Sequence, residues 1–374
     1  MAHAYTPGLR VTERALIRKE RRLPMKGTVV VQKGDPVKAE TVVARTELPG
    51  NVQPIKAASI LGVHQQDLRE FMLKKEGDAT GKDEIIATSK SFFGLFKSHC
   101  RSPVQGKIES ISEVTGQVII REPPIPVEVD AYIDGIVSQV MPQEGVVVET
   151  EGAFLQGIFG VGGETVGLVE VVVRRPDEEL TEAHIKPEHQ GKVLIGGSVV
   201  RIPAIQRAIQ VGARALVAGG LDDQDLRALL GYDLGVAITG HEAIGCSVVV
   251  TEGFGKMTMA HRTFDLLSAH QGMKASVNGA TLIRAGVMRP EIVIPFADRK
   301  VAAGAGEVAS EGLRVGSPIR AIRMPHFGRL GTVVELPPEL QLLETEAKVR
   351  VLKVRFEEGD EAVLPRANVE MIES

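Results

Sequence analysis

The stretch AYIDGIVSQVMPQEGVVVE, residues 131–149, decides how the first half of this chain is read. Apolar and polar residues alternate from Gly135, a Pro-Gln-Glu-Gly tetrapeptide interrupts them, and a valine-rich run follows. Alternation with a period of two on either side of a glycine-containing turn predicts a β-hairpin. The same theme recurs outward from it. Residues 23–44 carry Gly27, a Gly34-Asp35 turn and two valine runs. Residues 75–89 repeat the Gly-Asp turn, and residues 102–122 place a Thr115-Gly116 turn between apolar strands. Short strands and glycine turns at this spacing predict a β body built of hairpins. Pro123, Pro124 and Pro126 cannot donate to a central ladder, so they divide this region in two. One helix is expected inside it, over residues 60–75, with Val63, Leu68, Phe71 and Met72 on its apolar side.

The bulk properties bound the rest. At 374 residues the chain suggests two or three domains. Aromatic residues are scarce and glycines number 40, which favours short strands and tight turns. A formal charge of −4 gives no chain-wide field to attract nucleic acid, so any such binding must be local. Two cysteines, Cys100 and Cys246, stand in no Cys-x-x-Cys pair, which excludes a disulfide framework and a thiolate zinc site. The N-terminus has no apolar core of a secretory signal, and no 18-residue apolar window occurs. A soluble, bacterial-type cytoplasmic protein with no membrane partner, no metal and no cofactor is the expectation.

The hairpin repeats resemble the barrel-sandwich modules of lipoyl and biotinyl carriers. The segment SPVQGKIESISEVTGQVII is similar to the barrel-sandwich hybrid segments inserted in the large subunits of bacterial RNA polymerase. The resemblance covers roughly residues 23–173. A carrier holds its prosthetic group on an exposed lysine at a tight hairpin tip. Residues 131–149 contain no lysine, VVA at 42–44 is followed by RTELPG, and Lys90 falls in a long phenylalanine-rich excursion. The resemblance therefore implies the fold as scaffold rather than the carrier chemistry. Phe92, Phe93, Leu95 and Phe96 form either a core plug or a docking tip.

The glycine-rich run QGIFGVGGETVG (156–167) lacks the Gly-Lys-Ser/Thr ending of a phosphate loop and is followed by a strand, so a β-turn outweighs an anion nest. Residues 174–190 are charged and proline-containing and read as a linker. Their His184 and His189, five apart, do not share a helical face. From residue 191, apolar runs ending in Gly196-Gly197 and Gly219-Gly220, and the run SVVVTEGFG, alternate with amphipathic helical segments. This predicts a small parallel α/β layer. Ligands of such sheets bind outside the strands' C-terminal ends. That rule gathers Gly196, Gly197, Ser198, Gly219, Gly220, Thr251, Glu252 and Gly253 at one edge, with Arg284 from a later loop. An anionic small molecule would suit them. His241 and Glu242, placed near the same edge, are an acid/base pair only if the protein is an enzyme. HEAIG is not a zinc motif, because Gly245 occupies the second ligand position.

The C-terminal stretch GSPIRAIRMPHFGRLGTVVEL resembles the KOW motif of ribosomal and transcription-elongation proteins. With the strands after it, it implies an SH3-like barrel of about 60 residues. Arg320, Arg323, His326, Phe327 and Arg329 are its candidates for contacting RNA or DNA phosphates and bases, or a protein partner.

The fold class is thus multidomain, α/β and β. A basic N-terminal segment (1–22) precedes a barrel-sandwich hybrid body (23–173) and a linker (174–190). A small parallel, three-layer, Rossmann-like α/β domain (191–300) and a C-terminal SH3-like (KOW) barrel (312–374) follow. The favoured function is a non-catalytic adaptor or regulatory protein whose barrel binds nucleic acid or a ribonucleoprotein or polymerase complex. The alternative is a sensor or enzyme for a small phosphate- or carboxylate-bearing ligand at the α/β edge.

Overall fold

Twelve residues of unbroken strand at Gly145–Gln156 organise the computed structural model, which describes residues 9–91, 96–231, 242, 244–281, 289–296, 314–321, 325–326, 329–337, 340–342, 348–357 and 359–371. The first half of this strand forms the hairpin anticipated at residues 131–149. It pairs antiparallel with Gly135–Met141, and Met141 lies opposite Gly145. On its other side it pairs with the strand Val11–Arg22. Its second half pairs with Glu291–Pro295, in the register Gly152 to Pro295 and Gln156 to Glu291. One strand therefore joins the β body to the α/β part.

The result is a mostly β protein with several sheets, the largest of twelve strands. Within that sheet Glu164–Val171, Lys192–Ile195, Ala215–Leu221 and Ser247–Phe254 run parallel to one another. Lys274–Asn278 and Glu291–Pro295 continue it antiparallel towards the hairpin. Residues 174–190, expected to be a linker, lie between the sheet strands Glu164–Val171 and Lys192–Ile195. Residues 174–190 pack instead: Leu180 is fully buried, and its amide bonds the Val199 carbonyl. His184 and His189 each accept a backbone amide through Nδ1, closing turns of their own segment.

Alternate faces of Gly145–Gln156 feed two cores, as a period of two requires. Val146, Val148 and Phe154 join Ile17, Val43, Ile133 and Val137. Ala153 and Leu155 join Val11, Val193, Val217, Val249 and Leu267. A third core, with Leu68, Ile86, Ile108 and Ile120, lies within residues 55–120. Four α-helices are described: α1 (Ala57–Leu61), α2 (Ile202–Val211), α3 (Asp223–Leu230) and α4 (His261–Ala269). The helix expected over 60–75 is split. Gly62, in the left-handed region at φ 67°, ends α1, and Gln65–Phe71 forms a 3₁₀ segment. Pro126 lies on Ile125–Asp130, an edge strand, where its missing N–H costs no ladder bond.

Within the basic N-terminal segment, Val11–Arg22 is a strand whose cations face acids. Arg18 pairs with Glu149 at 2.6 Å and Lys19 with Glu291 at 2.5 Å. Arg21 grips Glu164 in a two-bond fork at 2.7 Å, and Arg14 pairs with Glu151. Basic charge here is spent on the sheet.

The C-terminal region is a six-stranded antiparallel sheet around Ile319, Val333, Leu352, Val354 and Phe356. Among the described residues no helix is long and apolar enough to cross a membrane.

The glycine pairs at the strand ends are packing residues. A Cβ on Gly219 would fall on the Met257 carbonyl oxygen and lie 2.9 Å from that of Ser198, whereas one on Gly163 meets nothing within 4 Å. Gly219→Ala should therefore destabilise the protein by about 1–3 kcal/mol or more, and Gly163→Ala by much less. Urea unfolding of the two variants beside the parent checks this.

Candidate functional site

The parallel strands do bring the glycine edge together. Gly220 lies opposite Gly253, and the Gly219 amide bonds the Gly197 carbonyl at 2.8 Å. Thr251 and Glu252 follow on the neighbouring strand, both almost fully buried. The edge, however, is not an open anion cradle. A Cβ on Gly197 would fall on the Glu178 carbonyl oxygen, and one on Gly220 on that of Gly255. The segments 175–180 and 255–259 cover these glycines, so their small size admits backbone rather than a ligand. Ser198, 1% exposed, is enclosed with them.

Glu252 carries the chemistry of this edge. Its Oε1 accepts the Ala260 amide at 3.0 Å, just ahead of α4, and its Oε2 accepts Nη2 of Arg320. Nη1 of Arg320 donates to the carbonyl oxygens of Thr251 and Glu252 at 3.2 and 3.3 Å. Arg320 was expected on an exposed, phosphate-contacting face. It is instead 3% exposed and fastens the C-terminal six-stranded sheet to the edge of the twelve-stranded one. Strand alternation turns its side chain towards the body. An arginine so enclosed cannot reach a phosphate.

Arg329 is likewise engaged. Its guanidinium grips Asp360 through two bonds, lies 3.9 Å over the Phe356 ring, and bonds His326 Nδ1 at 3.3 Å. The bonded guanidinium holds the Asp360 carboxyl below the usual carboxylate range. His326 stacks on the same Phe356 ring. Arg323, Phe327, Arg284 and His241 lie outside the described residues.

Glu242 does not join the glycine edge. It borders a shallow hollow of about 270 Å³ with Gly162, Gly163, Arg214, Cys246 and Ser247. Arg214 and Ser247 mark where the parallel strands begin, so Glu242 sits near the start of Ser247–Phe254, whereas Glu252 is its sixth residue, roughly 17 Å further along. Burial pushes the Cys246 thiol up to about 12, so it holds no thiolate near neutrality. Among the described residues no group of three or more His, Cys, Asp and Glu is arranged to hold a metal.

Where the C-terminal sheet meets the body, a cavity of about 410 Å³ opens beside the buried pair. Leu9, Val11, Ile319, Leu330, Val334 and Phe356 give it an apolar lining, and Arg262 on α4 and Glu357, just beyond the strand Lys348–Phe356, supply charge. Neither charged residue stood out in the sequence. Arg262 sits in an ordinary amphipathic helix and Glu357 in an acidic tail, and no motif links them. The cavity joins the two regions proposed separately from sequence.

No protein-family model matches this chain, and no curated protein matches it.

Breaking a buried ion pair on one side leaves the other charge dehydrated and uncompensated. Arg320→Met should cost about 3–5 kcal/mol. The double variant Arg320→Met/Glu252→Met should cost less than the sum of the two single changes. Urea unfolding of all four proteins measures the coupling, and additive losses would show that the pair does not act as a unit.

Proposed function

We propose that this chain is a non-catalytic regulatory protein in which a small molecule, bound where the terminal barrel meets the body, sets how that barrel engages a partner. In this reading the body is a barrel-sandwich hybrid scaffold with a Rossmann-like layer, and the terminal sheet is a KOW/SH3-like module for nucleic acid or a ribonucleoprotein or polymerase complex. The observation that carries the proposal is the apolar-lined cavity at the seam, next to the Arg320–Glu252 pair. Concave, mostly apolar pockets of some 300–1,000 Å³ with a few convergent polar groups are the usual form of small-molecule sites. A ligand there touches both sides of the junction, so binding has a direct route to the barrel.

Turnover finds less support. Glu242 stands at the far end of the strands from the cavity, and Cys246 stays protonated. A carrier role lacks its lysine tip: Lys90 lies within the strand Ile85–Ser91, opposite Lys97.

Fluorescence anisotropy with a labelled 20-nucleotide single-stranded RNA tests the output. Two or three phosphate contacts predict about a tenfold loss of affinity between roughly 50 and 200 mM salt. Arg320→Met should change the affinity through the seam and leave the salt slope unchanged. A fall in slope by one contact would make Arg320 a phosphate ligand, and no binding at low salt would contradict a nucleic-acid output.

A further inference from the structure

The cavity at the seam has two charges of opposite sign that no other described residue claims. Arg262, exposed in the first turn of α4, makes no hydrogen bond or ion pair with any described residue. Glu357, exposed just beyond the strand Lys348–Phe356, uses its backbone amide on the Leu330 carbonyl and leaves its carboxylate without a partner among the described residues. The other two arginines lining the cavity are committed: Arg320 to Glu252, and Arg355 to Glu361 at 2.8 Å. Once those pairs cancel, Arg262 on the body and Glu357 on the C-terminal sheet border the same apolar space, neither paired among the described residues. They are not within ion-pair distance of each other, so each remains available.

From this complementarity we infer that the cavity takes a zwitterion with an apolar side chain, an apolar α-amino acid, whose carboxylate meets Arg262 and whose ammonium meets Glu357. The apolar portion lies against Ile319, Leu330 and Phe356, where removal from water favours binding. A purely anionic ligand would leave Glu357 facing like charge, and a purely cationic one would do the same to Arg262. A neutral apolar ligand would use neither charge. The inference rests on the proposed ligand site at the seam and specifies its chemistry. It also supplies the coupling, because a zwitterion held by Arg262 and Glu357 ties the barrel to the body alongside the Arg320–Glu252 pair.

The test is calorimetric titration of the full chain with four probes of similar apolar body. These are L-phenylalanine, phenethylamine (no carboxylate), 3-phenylpropionate (no ammonium) and phenylalaninamide (the carboxylate neutralised). Phenylalanine should bind, and each single-charge analogue should bind about tenfold more weakly or worse, as expected for the loss of a charge-assisted hydrogen bond. Arg262→Ala should erase the preference for phenylalanine over phenethylamine while leaving its preference over phenylpropionate. Glu357→Gln should do the converse. Both positions are exposed, so neither change should impair folding. Equal binding of phenylalanine and a single-charge analogue overturns the zwitterion assignment while the cavity remains a ligand site. No binding of any probe overturns the inference outright. The RNA titration judges the output separately, so amino-acid binding without any effect on RNA affinity would remove the proposed coupling and keep the site.

Discussion

The carboxylate of Glu252 and the guanidinium of Arg320, 68 residues apart in the chain, meet where almost no water reaches. Taking two charges out of water costs several kcal/mol per ion, repaid only if each finds good partners. Here they do. The guanidinium reaches two main-chain carbonyls as well as the carboxylate, and the carboxylate also takes the amide ahead of α4. Against a well-packed apolar substitute the pair's stabilisation is modest. The pair links the C-terminal six-stranded sheet to the twelve-stranded one, beside the cavity.

A second constraint lies upstream. The strand Gly145–Gln156 serves hairpin and α/β sheet in succession, and its alternate residues fill separate cores. The body thus cannot shift against the α/β layer without breaking a continuous ladder. The cations of Val11–Arg22, matched to acids on neighbouring strands, set that ladder's edge. Exposed pairs of this kind contribute little individually, yet together they use up the basic charge that might otherwise have drawn nucleic acid to the N-terminus.

Much of the strand pattern is legible in the sequence. Residues 131–149 show a period of two around a glycine turn, and the runs VLI, ALVA and SVVV read as buried parallel strands, because local periodicity encodes both. Sheet neighbours are a different matter. Nothing local in TEGAFLQ announces that it pairs with Glu291–Pro295, since pairing depends on register over more than a hundred residues. The glycine edge is gathered as anticipated, but for close backbone approach rather than a ligand. Arg320 misleads for a related reason. In an alternating strand near the terminus an arginine reads as solvent-facing, and the acid that buries it lies on another sheet. Arg262 and Glu357 have no signature at all, because their relation exists only across the seam.

In the proposed function the C-terminal sheet and the body are one coupled unit through that seam. Hydrogen–deuterium exchange on the full chain, with and without Arg320→Met, addresses this most directly by following the amides of 247–254 and 318–321. The account predicts that both segments are strongly protected in the parent and lose protection together when Arg320 is replaced. Protection lost in 318–321 alone, with 247–254 unchanged, would show that the barrel is an independent appendage and would contradict it.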